Sequence, residues 1–177
     1  GVSPWYEDFL ATGERWEKRG KRMDEQIDIL KGLMNGEYFA YKGEFYDIPE
    51  LKLCPTPSKP VPILIGGHSK LALKRAARVG DGWISAGLSL EETKTLIDQI
   101  NGYRNEFGTF DHPNYQFQVM GEAAYSPDGV KQLEKLGATE VIVAFRNTYE
   151  GGPDERTLES MIAEINWYAE EVINKSD

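Results

Sequence analysis

The sequence predicts an α/β fold in which short parallel strands alternate with helices. Four apolar runs, residues 61–65, 81–86, 115–124 and 139–145, are each followed by a segment with helical spacing of apolar residues. Because each connection between strands contains a helix, we expect the strands to pair in parallel, with the helices outside the sheet. Two architectures satisfy this pattern: an open doubly wound sheet and half of a (β/α)8 barrel.

Start and stop signals bound three of these helices. A Ser side chain caps the free N–H groups at a helix start, and glycine commonly follows the last turn. The pairs of start and stop residues are Ser69 and Gly80, Ser89 and Gly108, and Ser126 and Gly137. Glu92 has the spacing of a capping box to Ser89, and Pro127 suits a first helical position. Apolar spacing predicts a closing helix over residues 158–173.

The first part of the chain has a different pattern. Apolar residues at helical spacing predict an amphipathic helix over residues 14–34, which Asn35 and Gly36 would stop. Two aromatic-rich runs, residues 38–41 and 44–48, follow it and predict a β-hairpin with a two-residue turn.

A proline-rich connection separates this hairpin from the alternating strands and helices. Five of the nine prolines lie within residues 49–62, which indicates an extended surface segment. We therefore interpret residues 1–177 as one domain, with the hairpin and the connection at residues 36–62 inside it.

The composition is that of a globular protein with an acidic surface. The chain has 177 residues and a formal charge of −9, from 20 Lys and Arg against 29 Asp and Glu. Nucleic acids and anionic membranes need clustered Lys and Arg, so we expect neither as a partner. The single cysteine, Cys54, cannot form an internal disulfide, and no apolar run has the length of a membrane span. A cytoplasmic location is expected.

The most informative segment is the turn Gly66-Gly67-His68-Ser69, which follows the first apolar strand. Glycines let backbone N–H groups approach an anion, and a helix start adds unpaired donors with a partial positive charge. The Ser69 hydroxyl is a further donor, and His68 can hydrogen-bond a phosphate or a ring edge. The same residues also suit an ordinary tight turn between strand and helix, so both interpretations stay open.

Other polar residues near the strand ends carry weaker signals. Asp81 and Trp83 open the second strand, at the end of the sheet expected to lie away from the site, so a structural role is favoured. Arg146 begins the loop 146–152 on the side expected to bind ligands, where a solvated arginine is favoured over a contact with an acidic ligand. His68 and His112 are isolated, and no Cys/His cluster exists, so no metal site is predicted.

A set of motifs occurs in one order along nearly the whole chain. They are Ser3-Pro4-Trp5-Tyr6-Glu7-Asp8-Phe9, Arg22-Met23-Asp24-Glu25, Tyr41-Lys42-Gly43-Glu44-Phe45-Tyr46, Pro62-Ile63-Leu64-Ile65-Gly66-Gly67-His68-Ser69 and Ala76-Ala77-Arg78-Val79-Gly80-Asp81-Gly82-Trp83. In this combination the chain resembles the bacterial luciferase-like monooxygenase family. It is most similar to the branch that uses the deazaflavin coenzyme F420.

The resemblance implies a TIM (β/α)8 barrel, of which this chain is the C-terminal half, strands five to eight with a β-hairpin insertion. It implies a cofactor, coenzyme F420 or FMN, whose phosphate lies at the turn after strand five. That assigns cofactor binding to Gly66, Gly67, His68 and Ser69, with Ser3 as a weaker candidate after strand four. In bacterial luciferase an arginine near that place contacts the phosphate. Val2 and Ser3 stand there instead, which favours a deazaflavin.

The function implied by the resemblance is a flavin- or deazaflavin-dependent oxidoreductase or monooxygenase with a small-molecule substrate. The family places most residues that face the reactive ring on strands one to four, so we assign no catalytic acid or base and expect this fragment alone to be inactive. The expected partner is the missing N-terminal half or a second copy in a homodimer. Two alternatives remain: a dimerising half-barrel that binds a phosphorylated ligand without redox chemistry, and an open doubly wound binding domain.

Overall fold

The computed structural model describes residues 1–146 and 152–176, which divide into two compact units at residues 63 and 64. The first unit, residues 1–63, holds two helices and a two-stranded antiparallel sheet. The second unit, residues 64–177, holds a four-stranded parallel sheet and its helices. The interpretation of residues 1–177 as one domain stays a prediction.

The first unit begins with two helices where one was predicted. Helix α1 spans Tyr6–Thr12 and helix α2 spans Arg19–Met34. The prediction of a helix starting at residue 14 was wrong because Lys18 adopts a left-handed backbone, with φ of 56°, immediately before α2. Trp16 instead packs edge-on against Phe9, with ring centroids 5.1 Å apart.

The predicted hairpin is confirmed, but its loop is longer than two residues. Strands β1 (Phe39–Lys42) and β2 (Asp47–Leu51) pair antiparallel, with Lys42 opposite Asp47, so four residues form the loop. The pairing is irregular between Tyr41–Ile48 and Phe39–Leu51, so β2 bulges where Pro49 lies. A proline is tolerated at a bulge because no ladder hydrogen bond is needed there.

The carboxylate of Glu25 organises the hairpin loop from helix α2. It accepts backbone N–H groups of Glu44, at 2.6 Å, Phe45, at 3.0 Å, and Tyr46, at 3.1 Å. Gly43 approaches so closely that a Cβ atom there would overlap the Glu25 carboxylate. A four-residue loop is therefore favoured, because it presents three consecutive donors to a single acceptor.

The second unit contains the predicted alternation of parallel strands and helices. Strands β3 (Leu64–Gly66), β4 (Gly82–Ile84), β5 (Gln116–Met120) and β6 (Glu140–Ile142) form one sheet in the order β3-β4-β5-β6. The helices are α3 (Lys70–Val79), α4 (Leu90–Phe107), α5 (Pro127–Lys135), α6 (Leu158–Tyr168) and α7 (Asn174–Ser176). A 3-10 turn spans Glu122–Tyr125, and a π-helical segment, Ala169–Ile173, separates α6 from α7. The parallel α/β class is confirmed. The open doubly wound order is not seen, because consecutive strands are neighbours throughout this sheet.

The strand register assigns alternate residues of each strand to the two faces of the sheet. Ile65, Trp83 and Phe117 are aligned in neighbouring strands and are all buried. Further along, Val119 joins a buried cluster with Leu133 of α5, so this face packs against the helices. The alternate residues of the strands point the other way, because side chains alternate along a strand. Among them, the Gln118 amide donates to the side chains of Gln116, at 3.3 Å, and Glu140, at 2.8 Å.

The predicted helix starts are confirmed by their capping hydrogen bonds. Ser69 accepts the backbone N–H of Ala72, and Ser126 accepts that of Gly129. Ser89 and Glu92 form both bonds of a capping box. The closing helix was predicted as continuous over residues 158–173, but its α-helical geometry ends at Tyr168, whose hydroxyl donates to the buried carbonyl of Ala124 at 2.8 Å. None of the helices in the described ranges is long and apolar enough to cross a membrane.

Glu25→Gln tests the role of the Glu25 carboxylate in the hairpin. We expect the free energy of unfolding to fall by about 1.5–3 kcal/mol, because the amide that replaces the carboxylate retains one acceptor oxygen for three loop N–H groups. Urea unfolding measures the loss, and amide hydrogen exchange should accelerate at residues 44–46. Glu50→Gln is the control, because Glu50 is exposed on the same hairpin. Equal effects of the two substitutions would contradict the assignment.

Candidate functional site

The predicted turn at Gly66-Gly67-His68-Ser69 lies where strand β3 ends and helix α3 begins. Gly67 has φ of 115°, a conformation that side chains disfavour, and a Cβ atom there would lie 3.1 Å from Cβ of Ala72. Gly67, His68 and Ser69 are exposed, whereas Ile65 just before the turn is buried. The structure therefore brings four of the five predicted site residues together in an accessible turn.

Several hydrogen-bond donors lie at the start of α3. The N–H groups of Lys70 and Leu71 have no intrahelical acceptor, because they belong to the first turn of the helix. The Ser69 oxygen accepts the Ala72 N–H at 3.3 Å, and its hydroxyl hydrogen can point to a ligand. Together with the partial positive charge of the helix start, these groups suit a bound anion.

Trp83 of the neighbouring strand contacts this turn directly. Its indole N–H donates to the carbonyl of Gly67 at 2.9 Å, and its side chain is 0% exposed. The prediction that Trp83 lies at the end of the sheet away from the turn was wrong. Trp83 is the central residue of a three-residue strand and is in register with Ile65. Its long side chain can therefore reach the carboxyl end of the neighbouring strand β3, where the turn begins.

His68 makes a second contact between the turn and the segment after β4. Its Nε2 atom accepts the backbone N–H of Ala86 at 3.2 Å, and its ring centroid lies 6.0 Å from that of Trp83. An Nε2 atom that accepts a hydrogen bond carries no proton, so the neutral ring has its proton on Nδ1. The His68 side chain is thus engaged within the protein through one nitrogen and can donate through the other.

Two further contacts join the carboxyl ends of the strands, and sequence reasoning missed both. The Ser85 hydroxyl oxygen accepts the N–H of Met120 at 3.0 Å. The Tyr125 hydroxyl accepts the N–H of Ala144 at 3.0 Å and donates to its carbonyl at 2.6 Å. The sequence held no signal for these pairs, because they depend on the register between strands.

A shallow cavity of about 350 Å³ lies beside His68. Its lining residues are His68, Leu88, Glu91, Glu92, Thr95 and Leu96. Hydrogen bonds from the backbone N–H and hydroxyl of Ser89 lower the pKa of Glu92, which favours its ionised form. An ionised carboxylate in the wall disfavours an anion inside this cavity. The donors of the turn are the better anion site.

Ser3 lies in the first unit, three residues before helix α1 begins at Tyr6. Its hydroxyl donates to the carboxylate of Asp8, and its oxygen accepts the N–H of Trp5 at 3.1 Å. Both contacts are local to the segment around the start of α1, where the residue that precedes the helix is Trp5. The assignment of Ser3 to the cofactor stays a prediction.

Asp81 and His112 meet at the opposite ends of the strands. Nε2 of His112 lies 3.3 Å from Oδ1 of Asp81, and the carbonyl of Asp81 accepts the N–H of Gln116 at 3.0 Å. These contacts give Asp81 the structural role that was predicted. Across residues 1–146 and 152–176, no group of three or more His, Cys, Asp or Glu side chains is arranged to hold a metal ion.

Arginines also organise the segment after β6, of which residues 147–151 lie outside the described residues. Arg146 lies 3.5 Å from the carboxylate of Asp154, so it is paired rather than solvated. Arg156 contacts the same carboxylate at 2.9 Å and donates to the carbonyl of Phe145 and to Glu164, both at 2.7 Å. Hydrogen bonds from Arg156 hold the pKa of Asp154 well below its usual range.

Replacing Gly67 by Ala tests the backbone requirement of the turn. We expect the free energy of unfolding to fall by about 1–3 kcal/mol, because Ala disfavours the positive φ. The control is Gly102→Ala in α4, where a Cβ atom meets nothing within 4 Å. In that helix Ala should raise stability by about 0.5–1 kcal/mol. Denaturant unfolding measures both changes, and changes of the same sign would contradict the interpretation.

Asp154→Asn should destabilise the protein near neutral pH and have less effect in acid. Because folding lowers the pKa of Asp154, its ionised form adds stability above its unfolded pKa of about 3.9, and this is lost as pH falls further. Urea midpoints of wild type and variant at pH 7 and pH 3 measure the difference. The exposed neighbour Glu155, replaced by Gln, is the control. A difference that does not shrink in acid would rule out the ion pair as its cause.

The sequence matches the family model described as luciferase-like monooxygenase over residues 2–127. An uncharacterized protein of Mycobacterium tuberculosis is 45% identical over 175 residues, which cover 99% of this chain and 60% of the relative. The chain therefore spans less than two thirds of this relative's length.

Named enzymes match over shorter segments. The FMNH2-dependent dimethylsulfone monooxygenase of Pseudomonas fluorescens is 36% identical over 56% of this chain and 28% of its own length. The F420-dependent hydroxymycolic acid dehydrogenase of Mycobacterium tuberculosis is 31% identical over a segment that covers 49% of this chain and 28% of its own length.

The fold is shared with solved structures of such enzymes. An F420-dependent secondary alcohol dehydrogenase in complex with an F420-acetone adduct superposes with a TM-score of 0.56 at 20% identity, covering 72% of this chain and 40% of that protein. This likeness agrees with the parallel sheet and alternating helices described above. Because the family model covers well over half of the sequence, the chain belongs to the luciferase-like monooxygenase family.

Proposed function

We propose that this chain belongs to a flavin- or deazaflavin-dependent oxidoreductase and that its Gly66-Gly67-His68-Ser69 turn binds the cofactor phosphate. One observation carries the proposal. A glycine turn with a positive φ ends a parallel strand and leads directly into a capped helix. Ligands of parallel α/β proteins bind at the carboxyl ends of strands, and a helix start is a suitable anion site.

The residues of the turn suit a phosphate group in exposure and polarity. Gly67 leaves the backbone uncovered, and the turn is exposed over residues 67–70. The Lys70 and Leu71 N–H groups and the Ser69 hydroxyl supply donors without a carboxylate among them. The formal charge of −9 does not oppose this assignment, because oriented donors at short range act independently of the distant surface charge.

The choice between the two cofactors favours a deazaflavin. Named relatives include both an FMNH2-dependent and an F420-dependent enzyme, so the family accommodates either. The Val2-Ser3 pair stands where bacterial luciferase has a phosphate-binding arginine, which supports F420 over FMN. When bound, such a cofactor supplies the redox chemistry of hydride transfer. The residues of this chain bind and orient its phosphate, and we assign none of them as an acid or base.

We further propose that the four strands are strands five to eight of a (β/α)8 barrel completed by polypeptide outside this sequence. A complete barrel of about 250 residues is larger than this chain. The chain spans 60% of its Mycobacterium tuberculosis relative, which supports the same conclusion. In this proposal the fragment alone is inactive, and the whole protein acts on a small-molecule substrate. The partner of this chain is then the missing N-terminal half or a second copy in a homodimer.

Cofactor titration of the full-length protein tests the proposed function. We expect saturable binding of F420, followed by fluorescence, with weaker binding of FMN. Saturable, tight binding of FMN alone would overturn the deazaflavin preference. If inorganic phosphate or sugar phosphates bind but neither cofactor does, a phosphate-binding protein without redox activity replaces the oxidoreductase.

A further inference from the structure

We propose that Trp83 is a positioning residue for the phosphate turn, because its indole N–H fixes the orientation of the peptide between Gly67 and His68. The inference rests on the proposed function and adds to it a residue from a different strand. No part of Trp83 is exposed, so it would act on a ligand only through the turn.

The hydrogen bond between Trp83 and Gly67 has ordinary geometry and a buried donor, so breaking it is unfavourable. Its length of 2.9 Å is the ordinary value for an N–H donor and a carbonyl acceptor. The indole is fully buried, so an unpaired N–H would carry a desolvation penalty. The buried indole therefore holds the Gly67 carbonyl in one direction.

The planarity of the peptide bond transmits this constraint to the other side of the turn. The carbonyl of Gly67 and the N–H of His68 belong to the same peptide unit. In a trans peptide these groups point in opposite directions. With the carbonyl directed at Trp83, the N–H of His68 is directed away from the core, at the exposed side of the turn.

Without this bond, the glycine turn would lack a defined orientation. Glycine at position 67 permits the positive φ and the close approach of a ligand, but it also permits several other backbone conformations. A donor supplied by the adjacent strand selects one of them. The cost of ordering the peptide is then met on folding rather than on ligand binding.

The side chain of His68, the residue after Gly67, restrains the same turn through a second hydrogen bond. Nε2 of His68 accepts the N–H of Ala86, three residues after Trp83 along the chain. Two bonds thus join the turn to β4 and the residues that follow it, one buried and one exposed. Because they flank the Gly67–His68 peptide, they restrict rotation of that peptide from both sides.

An indole suits this position better than other core side chains. Phe117 lies in the same register layer on the next strand and fills the core without a polar group. Among large apolar side chains, Trp combines a buried ring with an N–H donor. Phe117 is therefore a matched control for loss of core volume without a change at the turn.

The experiment compares cofactor binding with and without the phosphate in the full-length protein. For FMN and riboflavin, and for F420 and its phosphate-free deazaflavin, the Kd of the phosphate-free compound is divided by the Kd of the compound that carries the phosphate. This ratio measures the contribution of the phosphate to binding. Trp83→Phe removes the N–H donor and keeps an aromatic ring. We expect this ratio to fall about five- to tenfold, the factor that one hydrogen bond is worth. Phe117→Leu should lower the melting temperature and leave the ratio unchanged.

A second pair of variants keeps the test decisive if Trp83→Phe folds poorly. His68 is exposed, so His68→Ala should fold, and we expect it to lower the same ratio. His68→Gln places an acceptor near the position of Nε2 and should restore the ratio. A wild-type ratio near one would overturn the proposed phosphate turn together with this inference. A large wild-type ratio that Trp83→Phe leaves unchanged, or that His68→Ala leaves unchanged where Trp83→Phe does not fold, would overturn the positioning role alone.

Discussion

The hydrogen-bond ladder between neighbouring strands is short, and side chains as well as backbone groups continue it at the carboxyl ends of the strands. Strand β4 pairs with each neighbour over three residues only. Beyond that ladder, buried backbone groups still need partners. Trp83 donates to Gly67, and Ser85 accepts the N–H of Met120. These bonds give the Gly67 carbonyl and the Met120 N–H partners where the sheet ends in turns.

The same arrangement explains how a strained turn can be stable and accessible at once. Gly67 and Ser69 cannot bury enough apolar surface to fix their own conformation, because both are exposed. The restraint comes from β4, whose central residue is in the core, and from the segment after it, which reaches the solvent at Ala86. A rigid strand that holds a polar turn is a common way to position binding groups on loops.

Local signals predicted more of this structure than long-range ones. The caps at Ser69 and Ser89 were predicted because capping depends on residues only three positions apart. The contacts of Trp83 with Gly67 and of Glu25 with the hairpin loop were not, because each joins residues far apart in sequence. The helix predicted from residue 14 failed for a related reason, since the spacing of Trp16 fits a helix but its ring packs on Phe9.

Net charge and local geometry oppose each other at the proposed phosphate turn, and binding of a phosphate there would depend on geometry. The chain has nine more acidic than basic groups, and Glu91 and Glu92 line the cavity beside His68. Exposed charges more than about 10 Å away are screened at physiological salt, whereas an N–H in contact with an anion is not. Specificity for a phosphate then rests on how well a few N–H groups are aimed. That requirement makes the orientation of the Gly67–His68 peptide, and hence the buried indole of Trp83, more important than any surface lysine.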